Sequence, residues 1–251
     1  MAHGTRINGV NKAATAGFTR INGVNKKVTK GLTLVDGVQR NIQFISGVSL
    51  GDYTEGSIIY IPENGANAAF YVAKHNYESV LNGNGRTLVV RKDCYNSLAY
   101  GARSQNSYSS SLLDRWFNGD YISVLDETIR SNIVPTKIYC AVGMRDTTIT
   151  TISREVFAVS ASEMNLSGSG VPVEGSALPI SNVLKIAYYN GAAVLQWTRT
   201  SRASSTANAC PVKADGTVNT GYAVDSTGYS RPAFTLPHTM LFDPNTNTPI
   251  E

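Results

Sequence analysis

The sequence has few charged residues, only three cysteines and no long apolar run. Charged residues make up 16% of the 251 positions, below the average of about 25% for globular proteins. No stretch of ~18 apolar residues occurs, which argues against a transmembrane helix. The first residues lack the apolar segment of a secretory signal, so we expect a protein made in the cytoplasm. Cys94, Cys140 and Cys210 form no CxxC pair, which argues against a disulfide framework or a zinc site and favours small buried apolar residues.

Catalytic signatures are missing as well. The chain has no GxSxG elbow, HExxH motif, P-loop or GxGxxG segment. Its histidines are His3, His75 and His238, and the first and last lie in terminal segments where a buried general base is not expected. The pair Asp126-Glu127 falls on a predicted helix face, where solvated charge is the ordinary state. We therefore predict no enzymatic activity, no cofactor and no metal site.

Small polar residues and tyrosine take the place of the missing charge. The chain has 22 glycines and 13 tyrosines, with many serines, threonines and asparagines. This composition is typical of β-rich proteins with many turns, and Tyr, Ser and Asn recur on binding surfaces because they make adaptable contacts at low entropic cost.

An internal repeat occupies residues 1–45. Its period is 14 residues, and its units are Ile7-Asn8-Gly9-Val10, Ile21-Asn22-Gly23-Val24 and Val35-Asp36-Gly37-Val38. An NG or DG pair between β-prone flanks is the strongest short hairpin signal. Three such hairpins bury little surface alone and need a neighbour. We predict a repeat arm (residues 1–45) used for docking or assembly, with its turn residues Asn8, Gly9, Asn22, Gly23, Asp36 and Gly37 as the candidate contacts; a solvated linker is the alternative.

The repeat arm is basic. It holds seven basic residues against Asp36 alone, a net charge of +6, whereas the remainder has 15 basic and 17 acidic residues, a net charge of −2. Nucleic acid is disfavoured as the partner because Phe18 and Phe44 are the only aromatic residues of the arm available for stacking. Contact with an acidic protein surface is the stronger expectation.

The rest of the chain alternates strand and helix patterns. Apolar runs predict strands at 57–61, 68–73, 87–91, 156–159, 183–187 and 192–197. Two short helices are predicted at 108–117, capped by Ser109 or Ser110, and at 124–133, which Pro135 ends. Trp116 is expected in the core, residues 166–177 are expected to form an exposed loop, and residues 241–251 are expected to form an irregular tail.

The stretch from Leu195 to Pro237 is the most specific part of the chain. It joins an apolar segment ending at Trp197, a polar loop, an Asp215-Gly216 turn that suits type I′ geometry, and the segment Arg231-Pro232-Ala233-Phe234. Arg231 before a proline must be extended, so the last strand has a fixed start.

This pattern resembles a domain of unknown function that is widespread in Gram-positive bacteria and their phages. The resemblance covers about 47–237. Within that range, the segments Leu112 to Gly119 and Arg154 to Ser160 also resemble the family. It implies a relation to the C-type-lectin-like and formylglycine-generating-enzyme folds. The three cysteines do not reproduce the paired site of those enzymes, and the EPN, QPD and WND motifs of calcium lectins are absent. The repeats resemble GVNG-type repeats in phage structural proteins.

These observations predict an α+β fold. A C-type-lectin-like domain with two short helices (46–240) follows the β-hairpin repeat arm and precedes the tail (241–251). In the resemblance, the face after Trp197 is the ligand-binding one. The candidate ligand contacts on it are Arg199, Arg202, Asn208, Asn219, Tyr222, Asp225 and Tyr229, whereas Trp197, Asp215, Gly216 and Arg231 are expected to build the fold.

The functional hypothesis is a non-enzymatic virion protein. A tail or fibre-like component would bind a host cell-surface glycan or protein, with other virion proteins and sister chains as assembly partners and without membrane contact. A purely architectural part, such as a decoration, collar or baseplate protein, is the alternative. A bacterial surface domain with a ligand-sensing role is a third hypothesis, which the missing signal peptide disfavours.

Overall fold

The structure, a computed structural model, describes residues 47–250 and the backbone of six strands before them. These strands are β1 Arg6–Ile7, β2 Val10–Asn11, β3 Phe18–Ile21, β4 Val24–Lys27, β5 Lys30–Val35 and β6 Val38–Gln43. They pair antiparallel as β1–β2, β3–β4 and β5–β6, and two residues separate the strands of each pair. The intervening residues Asn8, Gly9, Asn22, Gly23, Asp36 and Gly37 lie outside the described residues.

Residues 47–250 combine short strands with shorter helices. The strands are β7 Val48–Ser49, β8 Ile58–Glu63, β9 Ala66–His75, β10 Arg86–Arg91, β11 Ser97–Ala99, β12 Thr136–Gly143, β13 Asp146–Arg154, β14 Val156–Ala158, β15 Ala187–Tyr189, β16 Ala192–Val194, β17 Asn208–Ala209, β18 Tyr222–Ala223, β19 Thr227–Tyr229, β20 Pro232–Pro237 and β21 Leu241–Phe242. The α-helices are α1 Ser79–Asn82, α2 Leu112–Trp116, α3 Ile122–Val124, α4 Glu127–Arg130 and α5 Ser181–Leu184. Two 3-10 turns, Leu50–Asp52 and Tyr108–Ser110, and a π-helical turn, Phe117–Tyr121, complete the list. The mixed α+β class is therefore as predicted.

A five-stranded antiparallel sheet forms the centre of the domain, in the order β14-β20-β10-β9-β8. Two of its inner strands are largely buried because both faces of the sheet are covered: β10 at four of six positions and β20 at five of six. Phe70 and Phe234 pack across it with ring centroids 5.4 Å apart. β20 begins at Pro232, as expected from the preceding Arg231.

The helical segment starts later than the serine run predicted. Ser111, rather than Ser109 or Ser110, caps α2, and its hydroxyl accepts a hydrogen bond from the Asp114 amide at 2.9 Å. The helix then continues through the π-helical turn into α3. Trp116 is only half-buried at the edge of the core, which corrects the expectation that it lies inside.

Several other expectations are corrected. Residues 181–184 form α5 instead of the start of a strand. In the Asp215-Gly216 turn only Gly216 has a positive φ, and its amide donates to the Lys213 carbonyl at 2.9 Å, so the loop is longer than a two-residue type I′ turn. The tail is not irregular throughout, because β21 pairs with β7 and Phe242 is fully buried. Within the described residues, no helix has the length and apolar character needed to cross a membrane.

Candidate ligand-binding surface

Arg199, predicted to contact a ligand, lies inside the protein. Its side chain is fully buried, and its Nη1 is 2.7 Å from the Glu163 carboxylate. The guanidinium also donates to the backbone carbonyls of Ala158, Tyr139 and Glu174 at 2.8–3.0 Å. All of its donor groups are directed at the protein interior, so the expectation of an exposed contact at Arg199 is wrong.

The surroundings of Arg199 form a buried ionic cluster of Tyr77, Glu163, Glu174 and Arg199. Glu174 accepts hydrogen bonds from the Ala141 amide at 2.7 Å and from the Thr200 hydroxyl. Desolvation raises the pKa of Glu174, although the charge of Arg199 opposes the shift. The cluster ties the 160–177 segment to β12, which is why part of the predicted exposed loop is buried.

Asn106 is a structural residue that the sequence reasoning missed. It is fully buried, and its Nδ2 donates to the carbonyls of Arg202, Ser205 and Asn208 at 2.8–3.1 Å. Its Oδ1 accepts from the Met144 amide at 2.7 Å. One side chain therefore fixes both the 202–208 loop and the tip of the β12–β13 hairpin. No sequence motif marks this role, because the partners are backbone groups distant along the chain.

The other polar candidates remain at or near the surface. Arg202, Asn208 and Asn219 are partly exposed and Asp225 is exposed. Asn208 pairs with Ala223 in the β17–β18 ladder, and the Asn219 side chain accepts from the Gly221 amide at 3.0 Å. The fold thus brings the loops containing Arg202, Asn208 and Asn219 together.

The two tyrosines of the predicted set serve the fold as well as the surface. The ring of Tyr222 packs edge-on against buried Trp197 at 5.4 Å, and its hydroxyl donates to the Thr227 carbonyl at 2.8 Å. The ring of Tyr229 lies 4.9 Å from that of Tyr189. Both residues are partly exposed, so each keeps some surface for a ligand.

A larger cleft lies elsewhere, beside α2. It has a volume of about 770 Å³ and is open to solvent. Its lining residues are Ser109, Asp114, Arg115, Asn118, Pro135, Ser153, Arg154 and Glu155. Arg154 Nε lies 2.8 Å from the Asp114 carboxylate, and desolvation raises the pKa of Asp114 despite this ion pair. The cleft presents hydrogen-bond donors and acceptors of both charge signs.

A second cleft, of about 380 Å³, is lined by Leu98, Ala99, Leu112, Arg115, Trp116, Gly119 and Asp120. Trp116 packs against Tyr95 with ring centroids 5.5 Å apart, so its indole is held in place. Arg115 borders both clefts, and we call the two together the α2 groove. The sequence reasoning assigned Trp116 to the core and missed the groove, because a groove depends on what packs beside the helix.

The potential catalytic groups are held in unreactive states. Burial raises the pKa of Cys94, Cys140 and Cys210 to about 12, which disfavours the thiolate. The prediction that these cysteines are buried is confirmed. The ring Nε2 atoms of His75 and His238 each lie within 2.8 Å of a backbone carbonyl. In residues 47–250 no three His, Cys, Asp or Glu side chains are grouped as metal ligands would be.

Comparison with known proteins gives one family. Residues 84–238 match the family described as Domain of unknown function (DUF6273). This match begins well after residue 47, where the resemblance was expected to start. No curated protein and no solved structure gives a significant match to the chain.

Proposed function

We propose that this chain, which belongs to the family of domains of unknown function DUF6273, is a non-enzymatic structural protein of a phage particle that binds a ligand on the host envelope. The domain from residue 47 onward carries the binding site. The repeat arm attaches the domain to the particle or to sister chains.

The observation that carries this proposal is the α2 groove. A binding site typically combines a concave apolar surface with a few polar groups that fix orientation. The groove places the half-buried Trp116 ring in one cleft and the polar pair Asp114 and Arg154 in the next. Arg115, between them, is exposed and can contact a ligand lying across both clefts. This arrangement suits an extended polar ligand such as a surface glycan.

Two further observations support a binding protein rather than an enzyme. The thiol pKa values near 12 leave no activated cysteine nucleophile in the described residues. The buried carboxylate of Glu163 pairs with Arg199, and that of Glu174 accepts hydrogen bonds from the Ala141 amide and the Thr200 hydroxyl, so both are engaged inside the protein.

Binding to intact cells tests the proposal. Full-length labelled protein is expected to bind saturably and selectively to strains within a panel of Gram-positive bacteria. Arg115→Ala and Trp116→Ala should each weaken this binding about tenfold or more, since both remove contacts at the centre of the site. Arg130→Ala is the matched control, because Arg130 is exposed and its side chain contacts only Glu127 and the Ser123 carbonyl among the described residues. Equal binding by all three variants would contradict a site in the groove.

The predicted face around Tyr222 is tested in the same assay. If the ligand lies there, Tyr222→Ala lowers cell binding and Arg115→Ala does not. Because Tyr222 also packs on Trp197, Tyr222→Phe serves as a control that keeps the ring contact and removes only the hydroxyl.

One observation favours the architectural alternative. Strand β13 pairs only with β12 among the described residues, and Asp146 to Thr151 are exposed along it. An exposed edge strand is a template for pairing with another chain. An architectural protein would tolerate Arg115→Ala and Trp116→Ala in the particle, whereas Thr151→Pro in β13 would prevent its incorporation. Thr151 is opposite Tyr139, whose carbonyl turns away from β13 to Arg199, so the Thr151 amide lies on the free edge and proline removes that donor.

A further inference from the structure

Arg202 differs from the other buried or half-buried arginines of the domain. Arg91, Arg154 and Arg199 each bind a carboxylate, and Arg231 donates to three backbone carbonyls and to Gln196. The Arg202 guanidinium, by contrast, has no hydrogen-bond or ion-pair partner among the described residues, and its Nε is buried. A desolvated donor without a partner is costly, because the free energy of its lost hydration is not recovered.

The backbone at Arg202 is nevertheless firmly held. Its amide donates to the Asn208 carbonyl at 3.1 Å, and its carbonyl accepts from buried Asn106 at 3.1 Å. The neighbouring Ala203 amide donates to the Gly170 carbonyl at 2.9 Å. The side chain therefore starts from a fixed point, which reduces the entropy that a ligand contact would have to overcome.

Two glycines lie next to the guanidinium. A β-carbon at Gly170, whose φ is +79°, would lie 3.5 Å from Arg202 Nε, with the Ser204 hydroxyl 3.7 Å away. A β-carbon at Gly221 would lie 3.8 Å from Arg202 Nη1 and 4.0 Å from the Asn219 side-chain oxygen. The guanidinium thus has Gly170 and Gly221 as neighbours, and the Ser204 hydroxyl lies near Gly170. We call this place the Arg202 recess.

We propose that the Arg202 recess binds an anionic group, phosphate or carboxylate, of the envelope ligand, as a contact separate from the α2 groove. A guanidinium presents paired donors that match the oxygens of both groups. The Ser204 hydroxyl supplies a further donor. The proposal adds the chemical class of the ligand and rests on the proposed function for the source of that anion.

The test is a titration of the full chain with inorganic phosphate and, separately, with acetate. The readout is the NMR chemical shift of the Arg202 Nε–H group. A saturable shift with at least one anion is expected. A response to phosphate alone identifies a phosphate ligand, and a response to acetate alone identifies a carboxylate. No saturable shift with either anion would overturn the proposal.

Two variants make the result specific. Arg202→Gln should weaken anion binding about tenfold or more, because it removes the charge-assisted donors. Gly221→Leu leaves Arg202 in place and covers the recess, and Gly221 is exposed with an ordinary φ, so the substitution is compatible with folding. Arg103→Gln, at an exposed arginine, is the matched control and should bind as the parent protein does. Undiminished anion binding in both recess variants would refute the site.

Cell binding separates this proposal from the proposed function. If the parent protein binds anions at Arg202 but binds no cells, the recess stands and the receptor function fails. If the parent protein binds cells and Arg202→Gln binds them equally well, the recess does not hold the envelope ligand and that part of the proposal is refuted.

Discussion

At the scale of single residues, Glu78 combines a strained backbone with an unsatisfied carboxylate. Its φ is +46°, in the left-handed region, and its Oε1 is buried without a hydrogen-bond partner in the described part of the chain. Burial raises the pKa of Glu78, and the charge of nearby Glu163 raises it further, while Lys74 and Arg199 oppose the shift. The ionised form at neutral pH is therefore unfavourable in the folded protein.

Glu78→Gln is expected to stabilise the protein at neutral pH. Because the folded-state pKa of Glu78 is raised above its ordinary value of 4.5, its contribution to stability is fully present below that value and is lost as the pH rises through the folded-state pKa. Glutamine removes this loss. The urea midpoint of the variant should exceed that of the parent protein at about pH 7, and the difference should shrink towards about pH 4. A constant difference at every pH, or the same gain in the exposed control Glu127→Gln, would contradict this explanation.

At the scale of elements, the β12–β13 hairpin has an unusual tip. Met144 and Arg145 both have positive φ, 55° and 72°, and follow Gly143, whose φ is 78°. Two-residue turns of this kind favour Asn-Gly, because side chains beyond Asn are strained there. The double variant Met144→Asn, Arg145→Gly should therefore raise the free energy of unfolding by about 0.5–1 kcal/mol, measured by urea unfolding.

The control for the hairpin tip is Asn64-Gly65, which already has the favoured pair and φ values of 51° and 76°. Replacing Asn64-Gly65 by Met-Arg should lower stability by a similar amount. If the tip variant is less stable than the parent protein, then Met144 and Arg145 make contacts that outweigh their backbone strain.

The elements that the sequence predicted are those set by local pattern. β8, β9 and β10 lie where apolar runs predicted strands. Residues 183–187 were predicted as a strand, but residues 183 and 184 belong to α5. A short apolar run suits a buried strand or a buried helix equally, so the pattern alone could not decide between them. The burial of Arg199 could not be predicted from the sequence, because it depends on contacts with Glu163 and with Tyr139, a residue 60 positions away.

At the scale of the whole molecule, charge and repetition separate the two parts of the chain. The repeat arm carries a net charge of +6 and the remainder −2. The described arm strands make three antiparallel pairs, and pairs as small as these are marginally stable without a neighbour. A surface of opposite charge, on a sister chain or on another particle protein, would supply one.

The repeat arm is therefore expected to control assembly. Each strand pair leaves two residues for the connection, as between Ile7 and Val10, and such connections favour glycine at the second position. Replacing Gly9, Gly23 and Gly37 by valine should prevent the pairs from forming, since a β-branched residue does not adopt positive φ. The variant should lose self-association in light scattering and incorporation into particles, while its near-ultraviolet circular dichroism keeps the signal of the buried tyrosines and Trp197.

The matched control replaces exposed Gly119 of the α2 groove by valine, which leaves the arm unchanged. Normal incorporation of the triple variant would show that the arm is a linker, and the docking role would then have to move to an exposed edge such as β13.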